Sequence, residues 1–161
     1  MRRIIDGHVN LTPDGGWFGT DHNASLALLT EQMQEAGVSN ALLIAMPGAG
    51  SNTHIAELCQ RNPDKFRGLG FIEDFQRAVD EMKTIVDMGL NGLKLHPRSQ
   101  KIDVLDPLLA PLWRYQSEHK LPVMIDGYYQ NTPTSVPLYK LTPFYYDQLA
   151  RQYPDMTIIL T

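Results

Sequence analysis

Asn40-Ala41-Leu42-Leu43-Ile44-Ala45-Met46 is an apolar run with no charge on either of its alternating faces. A strand that is apolar on both sides is buried on both sides, and a parallel sheet covered by helices supplies that environment. Thr157-Ile158-Ile159-Leu160 reads the same way. Outward from these runs, strand-like and helix-like segments alternate. Strands are expected at Arg3 to Val9, Asn40 to Met46, Phe66 to Ile72, Gly92 to His96, Pro122 to Asp126 and Met156 to Leu160. The segment Ala24 to Ala36 places Leu26, Leu29, Met33 and Ala36 at helical spacing, with Gly37 as its stop. Ser51 or Asn52 caps a helix that reaches Arg61. Further helices are expected at Phe75 to Met88, Pro107 to His119 and Pro143 to Gln152, with a Tyr- and Pro-rich loop from Gly127 to Thr142.

This alternation suits either a doubly wound open sheet or a barrel. The first βα turn lacks the glycine fingerprint of a dinucleotide fold. Pro47-Gly48-Ala49-Gly50 lacks the Lys-Ser/Thr of a phosphate-binding loop and reads as an ordinary turn. The expected class is α/β of the (β/α)8 TIM-barrel type, as a single domain over residues 1–161. A whole barrel needs about 200 residues or more, so the chain reads as an incomplete one, with about six parallel strands and about five helices. Two open sheet edges favour self-association, which leaves a homo-oligomer open, and the isolated chain is expected to be catalytically inert.

Composition narrows the function classes. A formal net charge of −4 argues against a general nucleic-acid footprint. No apolar run approaches a membrane span, and Met1-Arg2-Arg3 leads into a strand-like run containing Asp6 rather than a signal sequence. The single Cys59 cannot form an internal disulfide and reads as packing, and a reducing cytoplasm fits.

The chemistry-bearing residues sit on short apolar strands. In Ile4-Ile5-Asp6-Gly7-His8-Val9-Asn10, strict alternation sets Asp6, His8 and Asn10 on one face. In Gly92-Leu93-Lys94-Leu95-His96-Pro97 it does the same for Lys94 and His96. Asp126 ends the apolar Pro122 to Asp126 strand and needs a partner there: a metal, Lys94 or a substrate. Polar groups at the carboxyl ends of such strands point to a site. His22 reads as solvent-exposed in the first loop, and His54 and His119 as surface groups on helices. Tyr128, Tyr129, Tyr139, Tyr145 and Tyr146 form either an aromatic lid or a loop packed by its own side chains.

At these residues the sequence resembles the amidohydrolase superfamily, in the branch that also holds decarboxylases and lactonases. The resemblance also rests on Met33-Gln34-Glu35-Ala36-Gly37-Val38, Asn62-Pro63-Asp64-Lys65-Phe66-Arg67-Gly68, Leu121-Pro122-Val123-Met124-Ile125 and Tyr153-Pro154-Asp155-Met156-Thr157-Ile158-Ile159-Leu160, taken in order. It implies a barrel whose metal site draws an H-x-H from the first strand and a His from the fifth. Here His8 matches the first His, Asn10 stands in place of the second, and Asp126 stands in place of the strand-five His. One nitrogen and two oxygens shift preference from zinc toward manganese or magnesium, or imply no metal at all. The resemblance thus gives His8 and Asp126 as metal ligands and Asp126 and His96 as catalytic residues. Asn10, Lys94 and Arg98 become contacts to a small-molecule carboxylate substrate, with Lys94 as a carboxylated metal bridge the other reading. The implied activity is hydrolase or lyase action on a C–O, C–N or C–C bond. The alternative is a non-catalytic barrel remnant that binds or assembles, which the loss of His at positions 10 and 126 favours.

Overall fold

The structure is a computed structural model and describes residues 3–127 and 136–161. Tyr128 and Tyr129, with part of the expected loop after Asp126, lie outside the described residues. In chain order the elements are β1 (Ile5–Val9), the short hairpin β2 (Gly16–Trp17) and β3 (Thr20–Asn23), α1 (Leu26–Ala36), β4 (Asn40–Ile44), α2 (Asn52–Arg61) and β5 (Phe66–Leu69). They continue with α3 (Ala78–Asp87), β6 (Leu93–Leu95), α4 (Pro97–Gln100), α5 (Ala110–Glu118), β7 (Val123–Ile125), α6 (Pro143–Gln152) and β8 (Ile158–Leu160). Single 3₁₀ turns lead into α3, α5 and α6. The fold is α/β of the (β/α)8 type, present here in part: among the described residues six strands pair in parallel. The hairpin and the four-residue α4 are additions to the elements expected from the sequence.

The chain divides into two compact units, residues 1–71 with 85–91, and residues 72–84 with 92–161. In the first, β1, β4 and β5 form a parallel sheet in that order. Ala41 and Leu43 of β4 stand beside Phe66 and Gly68 of β5 on one face. A Cβ on Gly68 would lie 2.6 Å from Leu90 Cδ2 and 3.0 Å from Ile55 Cγ2, so the absence of a side chain is what lets α2 settle there. Leu43, Ile44 and Ile55 are wholly buried, each contributing about 1.5–3 kcal/mol relative to an exposed side chain. Local sequence closes the helices. Ser25 and Ser51 cap α1 and α2 by accepting from Leu28 N–H and His54 N–H. Gly37, at φ 68°, takes the left-handed conformation that ends α1, with Val38 N–H donating to Met33 O.

One expectation about β1 is corrected here. Asp6 is opposite Ala41 and Val9 is opposite Leu43, so three steps along β1 match two along β4. The bulge returns Val9 to the face of Asp6, so strict alternation does not run from Asp6 through His8 to Asn10. The Asp6 carboxylate accepts from His8 N–H at 3.1 Å.

In the second unit, β6, β7 and β8 form a parallel sheet in that order. Leu93, Leu95, Val123 and Ile125 are wholly buried. Trp113 of α5 is buried, with its indole N–H donating to Val104 O at 2.9 Å. Among the described residues no helix is long and apolar enough to cross a membrane.

Candidate active site

The register of the second sheet selects the polar row. Lys94 is opposite Met124, and Met124 is opposite Ile159. Two residues further along each strand, on the same face, come His96, Asp126 and Thr161. His96 Nδ1 lies 3.0 Å from Asp126 Oδ2, and the two side chains are 17% and 27% exposed. A carboxylate only accepts, so Nδ1 carries the proton and Nε2 of the neutral ring holds the lone pair. Nε2 is buried and has no hydrogen-bond partner among the described residues.

His96 is held from the other side as well. It caps α4, where Pro97 occupies the first turn. Its backbone N–H donates to Gln100 Oε1 at 2.8 Å, and Gln100 Nε2 donates to Ile72 O at 2.8 Å. Gln100 is a positioning residue that the sequence reading missed; the signal available was Pro97 directly after a strand-ending His. Asp126 is held through its backbone, whose N–H donates to Leu95 O at 2.9 Å and whose carbonyl accepts from Tyr146 Oη at 3.4 Å. Tyr146 is buried, so it belongs to the body of the unit rather than to a lid. Tyr145 likewise turns inward, its hydroxyl donating to Asp103 at 2.6 Å, while Tyr139 stays exposed.

Lys94 is wholly buried, and its ammonium donates to Thr161 Oγ1 at 2.8 Å. Burial pushes it down to about 8, with the Asp126 carboxylate pulling partly back. Thr161 is the second site residue that the sequence reading missed, because a bond across 67 residues leaves no local pattern. Arg98 lies half-buried in α4.

His8 and Asn10 belong to the first unit. His8 is exposed on β1, and Asn10 is half-buried just after it, with its Oδ1 unpaired among the described residues. His22 is exposed on β3. His54 is not a plain surface group: it is half-buried in α2, and its Nε2 has no partner among the described residues. Cys59 is buried, which pushes its thiol up to about 11.

Among the described residues no three His, Cys, Asp or Glu side chains gather where one ion could reach them. The cationic Lys94 shares the face of His96 and Asp126, which further opposes a divalent ion there. At the positions matched by the resemblance stand one imidazole, His8, and two oxygen donors, Asn10 and Asp126, where that set has imidazoles.

Parallel strands joined through helices, with His96 and Asp126 just past the carboxyl ends of β6 and β7, define a barrel-class protein. The amidohydrolase family model matches residues 5–161. The chain belongs to the amidohydrolase family, whose members usually depend on a metal. No curated protein matches the sequence. Among solved structures it is similar to an uncharacterized TIM-barrel protein from Bordetella bronchiseptica, with TM-score 0.79 and 22% identity over 98% of this chain and 66% of that one. It is also similar to a probable 2-pyrone-4,6-dicarboxylic acid hydrolase from Acinetobacter baumannii, with TM-score 0.68 and 15% identity over 99% of this chain and 58% of that one. A third is 5-carboxyvanillate decarboxylase from Sphingomonas paucimobilis, with TM-score 0.66 and 16% identity over 98% of this chain and 67% of that one. The chain thus spans between 58% and 67% of the length of these three.

Proposed function

We propose that the chain carries the acid–base pair of an amidohydrolase-type enzyme acting on a C–O, C–N or C–C bond of a small carboxylated substrate, by hydrolysis or decarboxylation. The observation that carries this reading is the 3.0 Å His96–Asp126 contact with Nε2 left unpaired among the described residues. Asp126 keeps the proton on Nδ1 and stabilises the imidazolium once Nε2 takes a second one. In hydrolysis, Nε2 removes a proton from the attacking water and returns it to the leaving oxygen or nitrogen. In decarboxylation, the protonated ring delivers to carbon the proton that replaces carbon dioxide. Lys94 and Arg98 are proposed to face the substrate carboxylate as cations, and a guanidinium suits that geometry. His8 and Asn10 keep, on the resemblance alone, the roles of metal ligand and substrate contact; no step above runs through a metal. A cytoplasmic location is proposed with it, on the lone cysteine.

The hydrolase and the decarboxylase described above are named for carboxylated ring compounds, which supports this substrate class. The test is an assay of the full-length protein with 2-pyrone-4,6-dicarboxylate and with 5-carboxyvanillate, following ring opening and carbon dioxide release, with and without a chelator. Turnover of either that falls roughly 10²–10⁴-fold in His96→Ala supports the proposal. Undiminished turnover in that variant overturns it. Binding without product supports the non-catalytic remnant instead.

A further inference from the structure

The hairpin β2–β3 and the end of β1 border a shallow, open cavity of about 230 Å³, lined by Asn10, Trp17, His22, Asn23 and Ala24. All five belong to the first unit, whereas the polar row on β6, β7 and β8 belongs to the second. We propose that it is a binding site for a small planar ring bearing a neutral oxygen, a hydroxyl or a carbonyl.

Three features of the cavity support this. Its lining carries an indole, an imidazole and a carboxamide but no Lys, Arg, Asp or Glu, so a fixed charge on the ligand would find no counter-charge. The Asn10 side chain has its Oδ1 buried and unpaired among the described residues, which leaves the amide nitrogen as the end available to a ligand oxygen. The volume lies below the range of drug-sized pockets and suits one small ring, which the Trp17 indole can face.

The hairpin tip adds a further observation. Phe18 and Gly19, the two central residues of the turn, have φ of 44° and 71°. A two-residue hairpin of this kind requires positive φ at both positions, and glycine or asparagine normally supplies it. A phenylalanine held there is strained, and such strain gathers where a ligand is clamped. Phe18 meets Trp17 edge-on, with ring centroids 4.8 Å apart at 72°, and a Cβ on Gly48 would lie 3.4 Å from Phe18 Cε1. The strained residue thus braces Trp17 on one side and reaches the turn after β4 on the other.

The test reads binding at Trp17 and is independent of any turnover by the second unit. The chain has two tryptophans, and Trp113 is buried, so ligand quenching of Trp17 is separable by Trp17→Phe. The probes are phenol, toluene as the ring without oxygen, and benzoate as the charged ring. Phenol should quench with a dissociation constant on the order of 1–10 mM, and toluene and benzoate should bind more weakly. Asn10→Ala should weaken phenol about tenfold and leave toluene unchanged. Because Asn10 is half-buried, His22→Ala, at an exposed position, serves as the second variant and should weaken phenol several-fold with an unchanged circular dichroism spectrum. Phenol binding no tighter than toluene, quenching that survives in Trp17→Phe, or phenol affinity unchanged in both other variants would each overturn the assignment.

Discussion

His96 Nδ1 and Asp126 Oδ2 lie 3.0 Å apart across two adjacent parallel strands, 30 residues apart in sequence. Each is the first residue past the end of its strand, and each is fixed through its backbone, His96 by Gln100 and Asp126 by Leu95. Two groups held this way need little reorganisation to exchange a proton with a bound molecule.

Asp126→Asn keeps the shape of that contact and removes the charge. An amide presents either oxygen or nitrogen to Nδ1, so the ring loses its fixed tautomer. Turnover should fall roughly 10²–10⁴-fold with a smaller change in KM. Steady-state kinetics on the purified variant checks this, and a change confined to KM would reassign Asp126 to substrate binding. Gln100→Ala should lower kcat by a smaller factor, since it frees the loop that carries His96 without touching the ring.

Lys94 makes stability depend on alkaline pH. Burial pushes its ammonium down to about 8, against the ordinary 10.5 in the unfolded chain, and Asp126 opposes that only in part. Below pH 8 both states are protonated, and the folded state bears the whole cost of the buried charge. Between about pH 8 and 10.5 the folded lysine loses its proton first, so the unfolded state binds more protons and stability from this group rises with pH. In Lys94→Met that titration is gone. The difference in unfolding free energy, wild type minus variant, should climb by roughly 3 kcal/mol at most over that window. Urea melts at pH 7 and at pH 10 measure it, and a flat or falling difference contradicts it.

Asp103 ties two segments of the second unit together. Its carboxylate accepts from the Lys140 ammonium, from Tyr145 Oη at 2.6 Å and from Leu105 N–H at 3.0 Å. Burial alone would push this carboxyl up; the bonds from Lys140, Tyr145 and Leu105 outweigh it and hold it below the ordinary 3.8. Its contribution is therefore present above pH 3.8 and is lost as pH falls through the lower folded value. Asp103→Asn should melt at a lower temperature than wild type at pH 6, and the gap should close in strong acid. Thermal melts across that range test it.

Gly50 closes the turn after β4, its carbonyl accepting from Met46 N–H at 2.9 Å. A Cβ there would lie 2.5 Å from Leu11 O and 3.1 Å from Ile55 Cδ1. A backbone oxygen cannot swing aside as a side-chain tip does, so Gly50→Ala should destabilise the chain by about 1–3 kcal/mol. Denaturant titration decides this, and an unchanged midpoint would mean that the turn relaxes freely.

The sequence by itself determined the alternation of strands and helices, because runs such as Ala41 to Ala45 are apolar on both faces and only a covered parallel sheet accommodates them. It also determined the stop at Gly37 and narrowed the cap of α2 to Ser51 or Asn52, of which the structure uses Ser51, since such signals act through bonds a few residues away. His96 and Asp126 were legible as strand-end polar residues for the same local reason. The tertiary structure alone decided which groups meet. Lys94 with Thr161, and His96 with Asp126, are set by the register of β6, β7 and β8, which no short pattern encodes. The bulge in β1 breaks the alternation between Asp6 and Val9, because strand alternation is a property of regular pairing and fails where one residue is extra. The hairpin at β2 and β3 escaped notice because strands this short carry no readable period, and its turn puts Phe18 where a glycine or asparagine is the ordinary signal.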